Sequence, residues 1–148
     1  MPVLSVTHLR LHRGINLVRF FIENEAAVRQ IVRAAGFIKG KLLAEPNLAM
    51  WGTTLWHSED AVYAYFVSGA HRELMRKVSA FACESQAMHM PYATDKLPAW
   101  TLAHELLQAN GRFSTALEKP SSDHLNGVIP PPRFTLFTRP LSAKLEQG

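Results

Sequence analysis

The residue best suited to chemistry is His71. It precedes Leu74, Met75 and Val78 by three, four and seven positions, so on a helix it shares their apolar stripe. Arg72, Glu73, Arg76 and Lys77 fall on the other side. An imidazole turned inward needs a hydrogen-bond partner or a ligand. Two roles meet that need: a core histidine bonded to backbone, Ser or Thr, and a pocket residue acting as acid, base or ligand contact. His71 is therefore the candidate catalytic residue.

No other group matches it. His8 and His12 stand four positions apart, which on one strand places them on one face but roughly 13 Å apart, too far to share an ion. His104-Glu105 lacks the second histidine of a zinc-protease helix. With Cys83 as the only cysteine a thiolate cluster is excluded, and no metal site is expected. Glycine-rich nucleotide loops and the GxSxG elbow are absent from the sequence. Trp51, Trp56, Tyr63, Tyr65 and Trp100 offer aromatic surface that packs a core or lines a cavity for a flat hydrophobic ligand. The candidate ligand contacts are Trp51, Trp56, Tyr65, Met75 and His89.

Those side chains need elements to position them. Val3 to Leu11 reads as a first strand, and from Leu17 to Ala35 a helical period follows, stopped by Gly36. Phe37 to Leu43 and Leu48 to Trp56 read as a hairpin turning at Pro46-Asn47. Along the second of these strands both side-chain sets are mainly apolar, with Trp51 and Trp56 on opposite faces. Both faces of the sheet must then be covered, one by helices and the other by a second sheet. Ser58 caps a helix that Gly69 interrupts, and the continuation carries His71. Gln86 to Met90 is a fourth strand, completing a βαββαβ order. A shorter helix runs from Leu97 to about Ala109. The expectation is an α+β, ferredoxin-like domain over residues 1–111 with an antiparallel sheet and an extra C-terminal helix. Residues 112–148 read as an extended tail, dispensable for the core, with a short strand or packing arm at Phe134 to Phe137.

Composition sets the outer limits. At 148 residues, 47% hydrophobic and 19% charged, the chain can build one real core. Its formal charge of +4 is scattered without a basic block, so no nucleic-acid partner is expected. No run approaches a membrane span and the first residues lack a signal-peptide core, so the protein is expected to be cytoplasmic, without a membrane partner.

Gly36-Phe37-Ile38, the run Trp51-Gly52-Thr53-Thr54-Leu55-Trp56, Ser58-Glu59-Asp60-Ala61 and Ser68 to Met75 together resemble the dimeric α/β-barrel superfamily. The stretch from about residue 3 to 110 is similar to antibiotic-biosynthesis-monooxygenase domains and to uncharacterised bacterial proteins resembling spheroidene monooxygenase. The resemblance implies a homodimer whose two sheets face each other, with a pocket between each sheet and its helices. It implies a monooxygenase-like oxidoreductase acting on a small hydrophobic or aromatic molecule, or a non-catalytic homodimeric ligand-binding protein. Relatives include cofactor-free oxygenases, haem-degrading enzymes and haem-dependent enzymes, so the cofactor is none or haem. The haem-degrading branch uses a Trp and a His where this chain has Tyr65 and Met75, which speaks against that chemistry and leaves His71 as the residue available to ligate haem.

Overall fold

The structure is a computed structural model that describes residues 1–14 and 16–144. Its elements are β1 (Val3–Leu11), α1 (Leu17–Val32), β2 (Phe37–Ala44), β3 (Ala49–Trp56), α2 (Glu59–Phe66), α3 (Gly69–Phe81), β4 (Ala82–Pro91), α4 (Trp100–Asn110), β5 (Arg112–Phe113), α5 (Ser122–Leu125) and β6 (Thr138–Ser142). The strands form one sheet in the order β5-β4-β1-β3-β2-β6, with every neighbour antiparallel. The central β4-β1-β3-β2 block is the ferredoxin-like arrangement that the βαββαβ order predicts.

Local chemistry sets the boundaries. The Asn16 side chain accepts from the Arg19 amide at the start of α1, and Ser58 accepts from the Ala61 amide at the start of α2. Gly69 has φ +61° and separates α2 from α3. The sequence expectation of an interruption there holds. β4 begins earlier than expected, at Ala82, because Ala82, Cys83, Glu84 and Ser85 are drawn into the sheet beside β1.

Side-chain alternation divides the sheet into two differently covered faces. On the inner face Val3, Phe37 and Trp56 pack with Val28 and Ile31 of α1 and with Val62 and Tyr65 of α2. On the outer face Leu4, Val6, Leu43, Trp51, Leu55 and Met88 pack with Trp100, Ala103 and Leu107 of α4 and with Ile129. The two tryptophans do lie on opposite faces, as alternation requires. The cover of the outer face differs from the second sheet expected: the chain's own C-terminal segment provides it.

That segment is accordingly more than an extended tail. Residues 112–142 supply β5, α5 and β6, and the side chains of Leu117, Ile129 and Leu141 are buried. The strand expected at Phe134 to Phe137 lies instead at Thr138–Ser142, where it pairs with β2. The Phe134 and Phe137 rings pack at 5.6 Å, tilted by 49°, and stay exposed. The last four residues of the predicted tail lie outside the described ones. Among the described residues, no helix is long and apolar enough to cross a membrane, and no cluster of three metal-ligating side chains occurs.

Candidate functional site

A cavity of about 510 Å³ opens between the inner face of the sheet and helices α1 to α3. That size suits a small organic ligand. Its floor carries Ser5, Thr7 and Leu9 of β1, Leu42 of β2, and Met50, Gly52 and Thr54 of β3. Ser5 sits opposite Thr54 and Thr7 opposite Gly52, so these hydroxyls form a short row on a mainly apolar floor, with Ser85 of β4 opposite Leu9. Gly52 is needed there: a Cβ would come within 2.9 Å of Thr7 Oγ1. The roof is Phe21, Ala27, Val28 and Ile31 of α1, Tyr65 and Phe66 of α2, and His71, Leu74 and Met75 of α3.

Gln30 holds the roof's hinge. Its amide nitrogen donates to the Ser68 carbonyl at 2.9 Å, and its oxygen accepts from the His71 backbone N–H at 2.9 Å. The α2–α3 break is thereby tied to α1, and His71 starts from a fixed backbone. Its ring is fixed as well. Nδ1 lies 3.3 Å from the Phe66 carbonyl, which can only accept, so Nδ1 carries the proton and Nε2 keeps a lone pair. The ring stacks on Phe66 at 5.0 Å and 24° and leans on Tyr65 at 4.6 Å. Burial pushes the His71 pKa below its ordinary value, against the opposing effect of the Phe66 carbonyl. At neutral pH the group is a neutral imidazole able to accept a proton.

The other expected contacts divide. Tyr65 lines the cavity with its ring, while its hydroxyl donates to the Ala27 carbonyl at 3.1 Å, and burial pushes its pKa up, so it is a wall and not an acid or base. Met75 lines the cavity near its opening and is 44% exposed. Trp51 borders the floor, but its ring lies on the outer face, 4.5 Å from His8, with Nε1 donating to Glu45.

Trp56 does not reach the cavity: it is fully buried behind Tyr65, ring to ring at 5.4 Å, and donates to Thr54 Oγ1. His89 is also outside it. It projects from the inner face at the far end of β4, with Nε2 3.5 Å from Glu59 at the start of α2. Both stand on the inner face, where alternation had placed Trp56, but their positions along the strands carry them past the site. Sequence reasoning missed Ser5, Thr7 and Thr54, although their alternation with Leu4 and Val6 was a usable signal. It also missed Arg139 and Glu25, which line the mouth from β6 and α1 as an ion pair; nothing local announces a contact between residues so far apart in the chain.

His71 Nε2, whose lone pair is free, could itself ligate an iron, but the rest of the lining does not suit haem's two carboxylates. Two propionates would meet a single lining cation, Arg139, already paired with Glu25.

No family model and no curated protein matches the chain. Solved structures do match. SnoaB, a cofactor-independent oxygenase from Streptomyces nogalater, superposes with TM-score 0.52 at 18% identity over 66% of this chain and 98% of its own. Rv0793 from Mycobacterium tuberculosis gives TM-score 0.56 at 10% identity, over 65% of this chain and all of its own. A Nitrosomonas europaea protein described as a candidate antibiotic biosynthesis monooxygenase gives TM-score 0.53 at 9% identity, over 64% and 90%. The matched share of this chain is about the length of the β1–β4 unit. At such identities the likeness speaks for architecture alone: the chain carries a ferredoxin-like α+β fold.

Proposed function

We propose that the protein binds a small hydrophobic or aromatic molecule in the cavity between sheet and helices and oxidises it, with His71 as the base. The observation that carries this reading is the pairing of an apolar cavity with one imidazole whose proton is committed to the Phe66 carbonyl. A base so held removes a proton from an acidic C–H or O–H of the bound molecule. The resulting anion is the electron donor to dioxygen. For a methylene activated by a neighbouring carbonyl, one oxygen atom enters as a new C=O and the other leaves as water with the two hydrogens, so no external reductant is consumed. The Ser5, Thr7 and Thr54 hydroxyls orient the polar edge of the substrate, and the Tyr65 and Phe66 rings flank His71. SnoaB's description as a cofactor-independent oxygenase supports this reading by likeness of fold.

The test is a screen of anthrone-like and phenolic substrates with an oxygen electrode, using wild type and His71→Gln. Oxygen uptake in wild type and its loss in the variant is the expected result. Tight binding without uptake in wild type would leave a binding protein and remove the enzyme.

A second copy belongs to the proposal in altered form. The outer sheet face is occupied by α4 and the tail, so a homodimer uses other surface, and the exposed Val18 and Ile22 of α1 and Leu136 of the tail provide it. Light scattering that gives only monomer removes the homodimer and leaves the cavity reading intact.

A further inference from the structure

We propose that the molecule held in the cavity carries a single anionic group, which docks on Arg139 at the mouth in exchange with Glu25 while its apolar body extends inward. The inference rests on the cavity being a ligand site and narrows the occupant to an amphipathic anion.

Among the described residues lining the cavity, Arg139 is the only Arg or Lys and Glu25 the only Asp or Glu. They come from opposite walls. Arg139 projects from β6, where Leu141, two positions along, also lines the cavity; Glu25 projects from α1. The guanidinium grips both carboxylate oxygens, Nη1 to Oε1 and Nη2 to Oε2, the latter at 3.3 Å. A planar fork of donors matched to two oxygens is the arrangement that recognises any carboxylate or sulfonate edge. The side chains are 51% and 43% exposed, and an ion pair so open to water contributes little that an exchange must overcome.

Charge decides which partner is exchanged. Glu25 is held below its usual carboxylate range by Arg139 first, against burial, and by the nearby charge of Arg29. Arg29, four positions along α1, adds positive charge nearby without pairing with Glu25. An incoming anion can therefore take Arg139 in a region of net positive charge; an incoming cation would enter a region already short of negative charge. The rest of the lining is largely apolar, its polar groups being hydroxyls, amides and imidazoles, and suits a body that carries no second charge.

The experiment uses the full chain and two aromatic fluorophores of opposite character: anionic 1-anilinonaphthalene-8-sulfonate and neutral Nile red. Wild type, Arg139→Gln and Glu25→Gln are titrated with each, after melting curves confirm that both variants are folded. Expected is about a tenfold loss of sulfonate affinity in Arg139→Gln, the size of one charge-assisted contact, with the neutral dye unaffected. Glu25→Gln moves the other way and tightens the sulfonate, because the resident competitor is gone. A pair that serves only to latch the tail onto α1 is broken equally by either substitution. Variants shifting in the same direction, or moving both dyes alike, would therefore overturn the proposal. Failure of wild type to bind either dye would overturn the cavity reading beneath it, a result distinguishable from the first.

Discussion

The two faces of the sheet use similar residues for opposite ends. On the outer face a tryptophan, two histidines and two glutamates are closed into a packed wall. Trp51 donates to Glu45 Oε2 at 3.2 Å, and Glu45 Oε1 accepts the Arg133 and Phe134 amides at 2.8 and 3.2 Å. His124 Nε2 lies 2.8 Å from the Ser114 carbonyl, so it is the donor there and Nδ1 is the acceptor facing Gln86 Nε2 at 3.4 Å. Gln86 Oε1 in turn accepts from His8 Nδ1 at 2.6 Å. Glu84, fully buried, takes Arg10 and Ser121 at 2.7 Å each. Every one of these bonds joins the sheet, or the turn beside it, to its neighbours or to the C-terminal cover. On the inner face one histidine and one ion pair border a cavity. A buried polar group that spends its hydrogen bonds on its own chain is architecture; one that keeps a lone pair toward open space is available to a ligand. By that criterion His124, bonded at both ring nitrogens, is structural, and His71 is not.

The largest consequence concerns the cover. Ending the chain after residue 115 removes Leu117, Ile129 and Leu141, each worth roughly 1.5–3 kcal/mol of burial. It also strips partners from Glu45, Glu84 and Gln86. That loss is comparable to the whole stability of a domain, about 5–15 kcal/mol. The truncated chain is expected to show no cooperative melt by circular dichroism. A sharp transition near the full-length midpoint would mean that the cover is accessory and the two faces less different than described.

Next in size is a matched pair of substitutions. Trp51→Ala, on the outer face at 2% exposure, is expected to cost about 3–5 kcal/mol in denaturant unfolding. Met75→Ala, on the cavity wall at 44% exposure, is expected to cost less than about 1 kcal/mol and to change ligand affinity instead. Equal costs would erase the distinction between wall and site.

The pH response is smaller and has a definite sign. Burial lowers the pKa of His8 and of His71 in the folded protein. The unfolded chain then binds more protons than the folded one as pH falls through about 6.5, so stability is complete above that value and declines below it. Glu84 behaves differently: burial pushes its pKa up, but hydrogen bonds from Arg10 and Ser121 outweigh this and leave it lowered. Its contribution is present above the ordinary carboxylate range and is lost only at more acid pH. Urea midpoints measured from pH 8 to 4 should decline in two stages, and His8→Gln should shallow the first. A flat profile between pH 7 and 5 would show that neither histidine is held neutral by the fold.

How much of this was legible in the sequence follows from the range of the contacts. Strands β1 to β4 and the broken helix α2–α3 have periods of their own, so alternation and Gly69 located them. His71 was legible because its stripe lies within a single helix. The apolar pattern of β3 correctly required a cover on both faces, but such a pattern says only that a face is buried, not by which chain. The cover itself is held by isolated residues, Leu117, Ile129 and Leu141, without any period, and by long-range bonds such as that of Glu45 to Arg133. Trp56 and His89 show a further limit: parity assigns a face, whereas position along the strand depends on where the helices leave space.

The smallest expected change in stability is also the one that decides the role of His71. Its ring is half-buried and its single side-chain bond, to the Phe66 carbonyl, is long at 3.3 Å. Gln is close in size and can return an N–H to that carbonyl, so His71→Gln should unfold within about 1 kcal/mol of wild type. What Gln cannot do is accept a proton near neutral pH. A neutral flat ligand should still bind, while proton abstraction, seen as exchange of an acidic substrate hydrogen with deuterated solvent, should fall by about 10²-fold or more. In wild type the same exchange should decline with acidification, but only below the range near about 6.5 where a free histidine protonates, because burial lowers the pKa of His71. If binding and exchange fall together in His71→Gln, and only in proportion to lost stability, the imidazole is packing between Phe66 and Tyr65, and the inner face has a cavity without a base.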